Sequence, residues 1–158
     1  MSSEIFFRDY RVTDLEAMFQ LDEGCFVEEF RFDRESMREF AEEPNAIVRV
    51  AESGCGEIAG FVILHVEHVE SELKAYVVTL DVALEHRRKG LASQLMREGE
   101  ERAFTAGVRW IGLHVFTGNT GAIRFYERLG YERISLQRGF YGDGGLDAFV
   151  YGKELRAL

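Results

Sequence analysis

Ala75-Tyr76-Val77-Val78-Thr79-Leu80-Asp81-Val82-Ala83-Leu84-Glu85-His86-Arg87-Arg88-Lys89-Gly90-Leu91-Ala92 begins as an apolar strand and crosses a short polar loop. It ends at Gly90, where a helix opens with Leu95, Met96 and Ala103 on one face. A helix start offers N–H groups without intrahelical acceptors and the positive end of the backbone dipole. Gly90 and the small Ala92 let the backbone come close to a bulky anion, and Arg87, Arg88 and Lys89 add positive charge. Two readings fit these residues: a glycine turn beside solvated cations, or a cradle for a diphosphate. The stretch is neither a Walker loop nor a Gly-x-Gly-x-x-Gly dinucleotide fingerprint.

On either side of this stretch the hydrophobic period switches between strand and helix. Ile5 to Tyr10 reads as a strand, and Thr13-Asp14-Leu15-Glu16 as a capping box opening a helix that buries Leu15, Met18 and Phe19. A second helix starts at Asp33 and uses Met37, Phe40 and Ala41. Residues 46–52, 58–67 and 72–82 form an antiparallel meander whose first turn is Ser53-Gly54-Cys55-Gly56. Then come a helix over 91–105, a strand over 110–115, a helix over 120–129 and strands over 131–136 and 147–153. The strand-helix-strand unit implies one parallel pairing within a mixed sheet.

The chain has 158 residues, 46% of them hydrophobic, which suits one domain spanning 1–158. The formal charge of -9 disfavours nucleic acid as a partner. With no long apolar run and no signal-like N-terminus, the expectation is a cytoplasmic protein with no membrane partner. Cys25 and Cys55 stand far apart, and His65 and His68 point to opposite faces of a strand, so no metal site is expected.

Two motifs in order resemble the GNAT acetyltransferases. Arg87-x-x-Gly90-x-Ala92 is similar to the family's Arg/Gln-x-x-Gly-x-Gly/Ala signature between its fourth strand and third helix. Asn119-x-x-Ala122-x-x-x-Tyr126-x-x-x-Gly130-Tyr131 is similar to the segment after its fifth strand. The resemblance implies the GNAT fold: a mixed α/β architecture whose mostly antiparallel central sheet of about seven strands has a parallel central pair, flanked by about four helices. It also implies acetyl-CoA as cofactor, held by Leu80, Asp81 and Val82, by Arg87, Arg88, Lys89, Gly90, Leu91, Ala92 and Ser93, and by Asn119, Ala122 and Tyr126. The thioester carbonyl is expected at a bulge near Leu80 to Val82. By their own chemistry, Asn119 reads equally as a helix N-cap and Tyr126 as part of an apolar stripe with Ala122 and Leu129.

Acetyl transfer to an amine needs an uncharged nucleophile, a donor for the developing oxyanion and a proton for the leaving sulfur. His114 alternates away from Ile111, Leu113 and Val115 on its strand, and an imidazole titrates at about pH 6.5, so it reads as either a structural histidine or a base. Leu113-His114-Val115 and Tyr76-Val77-Val78-Thr79-Leu80 resemble the RimI-like, N-terminal protein acetyltransferase branch of the family. That likeness implies Tyr76 and His114 as a joint base and Tyr126 as the acid for the departing thiolate. Gly139-Phe140-Tyr141-Gly142, followed by Asp147-Ala148, resembles the branch's substrate hairpin. Phe140, Tyr141, Tyr76, Phe26 and Val27 are the implied acceptor contacts, with Glu28 and Glu29 beside them as attractors of an amine or as plain surface charges. The expected acceptor is a protein or peptide N-terminus, ribosomal proteins included, with the enzyme acting as monomer or homodimer. The alternatives are a small-molecule amine acceptor, or a non-catalytic acyl-CoA-binding module.

Overall fold

The computed structural model describes residues 4–26, 30–142 and 145–157. Strands β1 (Ile5–Asp9), β2 (Ala46–Ser53), β3 (Ile58–Val69), β4 (Glu72–Val82), β5 (Trp110–Phe116), β6 (Glu132–Gln137) and β7 (Ala148–Glu154) form one sheet, in the order β1-β2-β3-β4-β5-β7-β6. The helices are α1 (Leu15–Cys25), α2 (Arg34–Glu42), α3 (Leu91–Thr105) and α4 (Thr120–Arg128). All strand pairings are antiparallel except β4 with β5. None of the described helices is long and apolar enough to cross a membrane.

Alternating side chains give the sheet two apolar faces. Met18 and Met37 from α1 and α2 pack with Val48, Val50, Phe61 and Ile63 on one face. On the other, Leu91, Leu95, Met96 and Ala103 of α3 pack with Val62, Leu64, Val77, Ile111, Leu113 and Tyr151, and the inner side of α4 leans on the same cluster. Both faces of β4 are therefore covered. Charges pin α3 at its rim: buried Arg49 of β2 reaches Glu98 at 2.8 Å, and Glu100 accepts from Lys153 at 2.9 Å and from the Tyr131 hydroxyl at 2.8 Å.

Several local details differ from the sequence expectations. Asp14, not Thr13 or Glu16, organises the entry to α1: its carboxylate accepts the Arg11 amide at 2.7 Å and is clamped by Arg8 at 2.8 Å. Glu16 turns outward to Arg34 at 2.8 Å. The helical turn begins earlier than expected, at Val12, so Asp14 stands three residues after the cap Arg11 and takes its amide, while Glu16 is drawn away by Arg34. The last two strands begin one residue later than expected, leaving Tyr131 beneath α3 rather than in β6.

The bulge in β4 also lies upstream of the expected Leu80–Val82. Leu64 pairs with Val77 and Ile63 with Thr79, so Val78 is the extra residue. Such an insertion resets the alternation. Thr79 and Asp81 thereby follow their partners Ile63 and Phe61 toward α1, while Leu80 and Val82 face α3.

Asp81 is consequently buried against Asp22 of α1, which is also buried. Asp22 Oδ2 accepts the Phe32 amide at 2.8 Å, and Asp81 Oδ1 accepts the Thr79 hydroxyl at 2.5 Å. The remaining oxygens, Asp22 Oδ1 and Asp81 Oδ2, have no hydrogen-bond partner among the described residues. Two neighbouring buried carboxyls, each with an oxygen that no donor reaches, are relieved when one of them keeps its proton. Burial, followed by the neighbouring Asp22 carboxyl and its charge, pushes the Asp81 carboxyl well above the usual carboxylate range.

A carboxyl with a raised folded-state pKa holds its proton more tightly in the fold than in the unfolded chain. Its stabilisation is complete below the ordinary carboxylate pKa and is lost as pH climbs from about 4 toward the raised value. Asp81→Asn keeps a donor toward Asp22 without needing the proton. Thermal denaturation from pH 4 to pH 9 is expected to show the variant gaining on the parent as pH rises; a pH-independent difference in Tm would contradict a proton retained on Asp81.

Candidate active site

β4 and β5 pair only where Lys74, Ala75 and Tyr76 face Trp110, Ile111 and Gly112. Beyond those residues the strands part, and the edges of β4 and β5 that face each other carry backbone groups with no strand partner. In open sheets of this kind ligands bind beyond the carboxyl ends of the strands. Here α3 follows β4 and α4 follows β5, so two helix N-termini open at that end.

At the start of α3 the chain takes left-handed conformations at Arg88 (φ 62°) and Gly90 (φ 80°). A side chain at Gly90 would meet open space, so it is the backbone angle that calls for glycine. Gln94 is the first helix amide to find a backbone acceptor, on Gly90; those of Leu91, Ala92 and Ser93 have none among the described residues. Arg88 and Lys89 are exposed and make no ion pair among the described residues. Arg87 behaves differently from its neighbours: its Nε donates to the Val82 carbonyl at 3.1 Å, which braces the loop against the end of β4. The Cys25 thiol reaches the same carbonyl at 3.3 Å. This loop therefore has free amide donors, two free cations and room for an anion, which fits a diphosphate.

Asn119 caps α4, its Oδ1 accepting the Ala122 amide at 3.1 Å, and Ala122 and Tyr126 lie partly buried against the core. Burial raises the Tyr126 hydroxyl far above the usual phenol range, with further contributions from Asp81, Tyr141 and Tyr76. It stays protonated at any working pH, and no described residue hydrogen-bonds it. A buried phenol of that kind can donate to a departing anion.

Tyr76 and His114 meet where the strands part. The Tyr76 hydroxyl lies 2.9 Å from His114 Nδ1, and His114 Nε2 lies 2.9 Å from Gln137 Oε1. Burial, then the neighbouring Tyr141, pushes the Tyr76 phenol up to about 12, so it too is neutral. Phe140 stacks on the imidazole with centroids 3.9 Å apart and planes 4° apart. Tyr141 stands edge-on to Phe140 and to Phe30, and Phe30 touches Phe116 at 5.4 Å.

The structure thus brings Tyr76, His114, Phe140 and Tyr141 together as the sequence suggested. It does not join Phe26 to this group; Phe30 takes that place. Val27, Glu28 and Glu29 lie outside the described residues. For Leu80, Asp81 and Val82 a direct hold on a ligand is limited to the backbone: Leu80 faces the core, Asp81 is sealed against α1, and the Val82 carbonyl is occupied. Phe30, Phe116 and Gln137 were missed from the sequence. Phe116 was findable by alternation, being two residues beyond His114 on the same strand, whereas Gln137 comes into range only through the pairing of β6 with β7.

The family model described as "Acetyltransferase (GNAT) family" matches residues 15–131. The catalytic subunit NAA10 of the N-terminal acetyltransferase A complex of Arabidopsis thaliana is 32% identical over 114 residues, covering 70% of this chain and 58% of that protein. An N-alpha-acetyltransferase of Sulfurisphaera tokodaii is 26% identical over 161 residues, covering 94% of this chain and 92% of its own length. Among solved structures, Arabidopsis thaliana NAA60 in complex with acetyl-CoA superposes with a TM-score of 0.84 at 23% identity, over 98% of this chain and all (100%) of that one.

Proposed function

The chain belongs to the GNAT family of acetyl-CoA-dependent N-acetyltransferases, and from that premise we propose that its acceptor is the N-terminal α-amine of a protein, acetylated by direct attack in a ternary complex. The observation that carries this reading is the Tyr76–His114 hydrogen bond at the fork of β4 and β5, walled by Phe140, Tyr141, Phe30 and Phe116. Relatives named as N-alpha-acetyltransferases support the acceptor class, and a rigid aromatic wall is suited to gripping a peptide rather than a small polar amine. Both cysteines are unpaired, which fits a reducing, cytoplasmic setting, and the whole chain, 1–158, is taken to act as one domain. Nothing in the aromatic wall narrows the acceptor to a ribosomal protein.

Acetyl-CoA, when bound, supplies an activated acetyl thioester. The amides of Leu91, Ala92 and Ser93, helped by Arg88 and Lys89, hold its diphosphate, and the unpaired edge of β4 beyond Tyr76 offers donors to the thioester carbonyl and the pantetheine arm. Among the described residues the Asn119 side-chain amide nitrogen has no acceptor, which leaves it available to the same arm. A protein α-amine has a pKa of about 7.7 to 8.0, so a substantial minority is already neutral at pH 7 and only modest base assistance is needed. Tyr76 Oη and His114 Nδ1 take up the amine proton, and the Tyr126 hydroxyl supplies one to the departing sulfur.

Arg88→Glu or Gly90→Asp is expected to weaken acetyl-CoA binding at least about tenfold, roughly 1.4 kcal/mol, in calorimetry. Unchanged affinity would move the diphosphate elsewhere. His114→Ala is expected to lower kcat about 10²-fold at pH 7 and to recover as pH passes through the amine range, whereas a parallel pH profile would remove it from the base role. Tyr126→Phe is expected to slow turnover with cofactor affinity intact; equal kcat would leave the leaving group to solvent. Intact-mass analysis of peptides with varied N-termini, set beside a panel of free amines, tests the acceptor class, and turnover of free amines alone would reject it.

A further inference from the structure

Gln137 lies outside both sequence motifs, at the end of β6, an edge strand of the sheet. Its backbone pairs with Ala148, and its side chain meets His114, which projects from β5 on the same side of the sheet as Tyr76. The groups that face the imidazole are thus Tyr76 from β4, Gln137 from β6 and Phe140 from the connection between β6 and β7. Among the described residues no carboxylate and no cation contacts the ring.

A neutral imidazole carries one N–H and one lone pair, and the partner of one nitrogen decides which is which. A carbonyl oxygen can only accept. With the Gln137 amide oriented so that Oε1 and not its NH2 lies 2.9 Å from Nε2, the matching tautomer carries its proton on Nε2 and its lone pair on Nδ1. Nδ1 is then able to accept the Tyr76 O–H at 2.9 Å, and the lone pairs of Tyr76 Oη are left for an incoming proton. The opposite tautomer would place N–H on Nδ1, make it the donor to Tyr76 Oη and block the relay.

We infer that Gln137 is a positioning residue: through Nε2 it fixes the His114 tautomer and so the direction in which Tyr76 passes a proton. The inference rests on the reading of Tyr76 and His114 as the base. The acceptor amine gives its proton to Tyr76 Oη, the Tyr76 hydroxyl proton moves to His114 Nδ1, and the resulting imidazolium is held by Nε2–H donating to Gln137 Oε1. Tyr76 ends neutral, as it began, and one positive charge has moved from amine to imidazole. Phe140 keeps the imidazole plane parallel to its own by stacking on it, so that both hydrogen bonds are made in one orientation.

Two variants separate this role from simple support of the hairpin. Gln137→Met keeps length and the backbone pairing and removes the acceptor; Gln137→Glu keeps an acceptor and adds charge. In nitrogen-15 labelled protein at about pH 8, where a free imidazole is neutral, proton–nitrogen correlation spectra read the tautomer directly, with His114→Phe identifying the His114 signals. The expected result is protonated Nε2 and bare Nδ1 in the parent and in the absence of any substrate, giving way to averaged signals in Gln137→Met. Kinetically, Gln137→Met is expected to lower kcat about tenfold while acceptor KM changes less than about twofold. Gln137→Glu restores turnover but moves the acid limb of kcat/KM up by roughly one pH unit, because a carboxylate favours the imidazolium. A parent ring protonated on Nδ1, or a Gln137→Met variant with the parent's tautomer and pH profile, overturns the inference. Should the parent acetylate no amine, the assigned reaction falls, and the spectra still decide the role of Gln137.

Discussion

The parting of β4 from β5 beyond Tyr76 and Gly112 is the constraint on which the rest of the architecture depends. A parallel pair that stayed zipped would satisfy its own backbone groups and leave nothing between them. Once separated, the strands present two polar edges, and each leads into the N-terminus of a helix. The separation is tolerated because other partners hold each strand: β4 is paired along its length with β3, and β5 with β7. Apolar packing on both faces then fixes the angle, with Val77 and Leu113 in one cluster and Val78 against the other.

The Val78 bulge adds a second consequence. By shifting the alternation of β4 it turns Asp81 toward α1, where its carboxyl meets Asp22. A buried acid pair is a poor source of stability, and apolar side chains of similar size would pack there at no electrostatic penalty. What the pair provides is direction. Asp22 also holds the Phe32 amide, so the carboxyl packed beside Asp81 anchors the far end of the segment after α1 close to the strand that borders the fork. Phe30, which walls the site against Tyr141 and Phe116, sits within that tethered stretch.

Charge acts locally in this molecule. The protein is acidic overall, yet the loop before α3 carries adjacent cations, and they do not play equal parts. Arg87 spends its guanidinium on the Val82 carbonyl and so shapes the loop, while Arg88 and Lys89 remain free. The donors with the most definite direction are the helix amides, whose orientation is set by the backbone and not by flexible side chains. On the opposite wall, burial keeps both Tyr76 and Tyr126 neutral, so the proposed proton carriers begin from uncharged forms.

The amino-acid sequence by itself determined the elements, the parallel crossover and the loop before α3, because these depend on hydrophobic period and on conformations that neighbouring residues dictate. Gly90, with its positive φ, and Asn119, capping α4, belong to that class. Tyr76 and His114 were legible because strand alternation and a family likeness pointed the same way. The capping of α1 was misread, since the winning acceptor, Asp14, is chosen by Arg8 arriving from β1. Only the tertiary structure decided that Asp81 meets Asp22, that Phe30 and not Phe26 joins the aromatic wall, and that Gln137 faces His114. Each of those contacts joins residues from separate elements, and its geometry follows from a bulge, a strand register or a packing angle, none of which leaves a periodic trace in the chain.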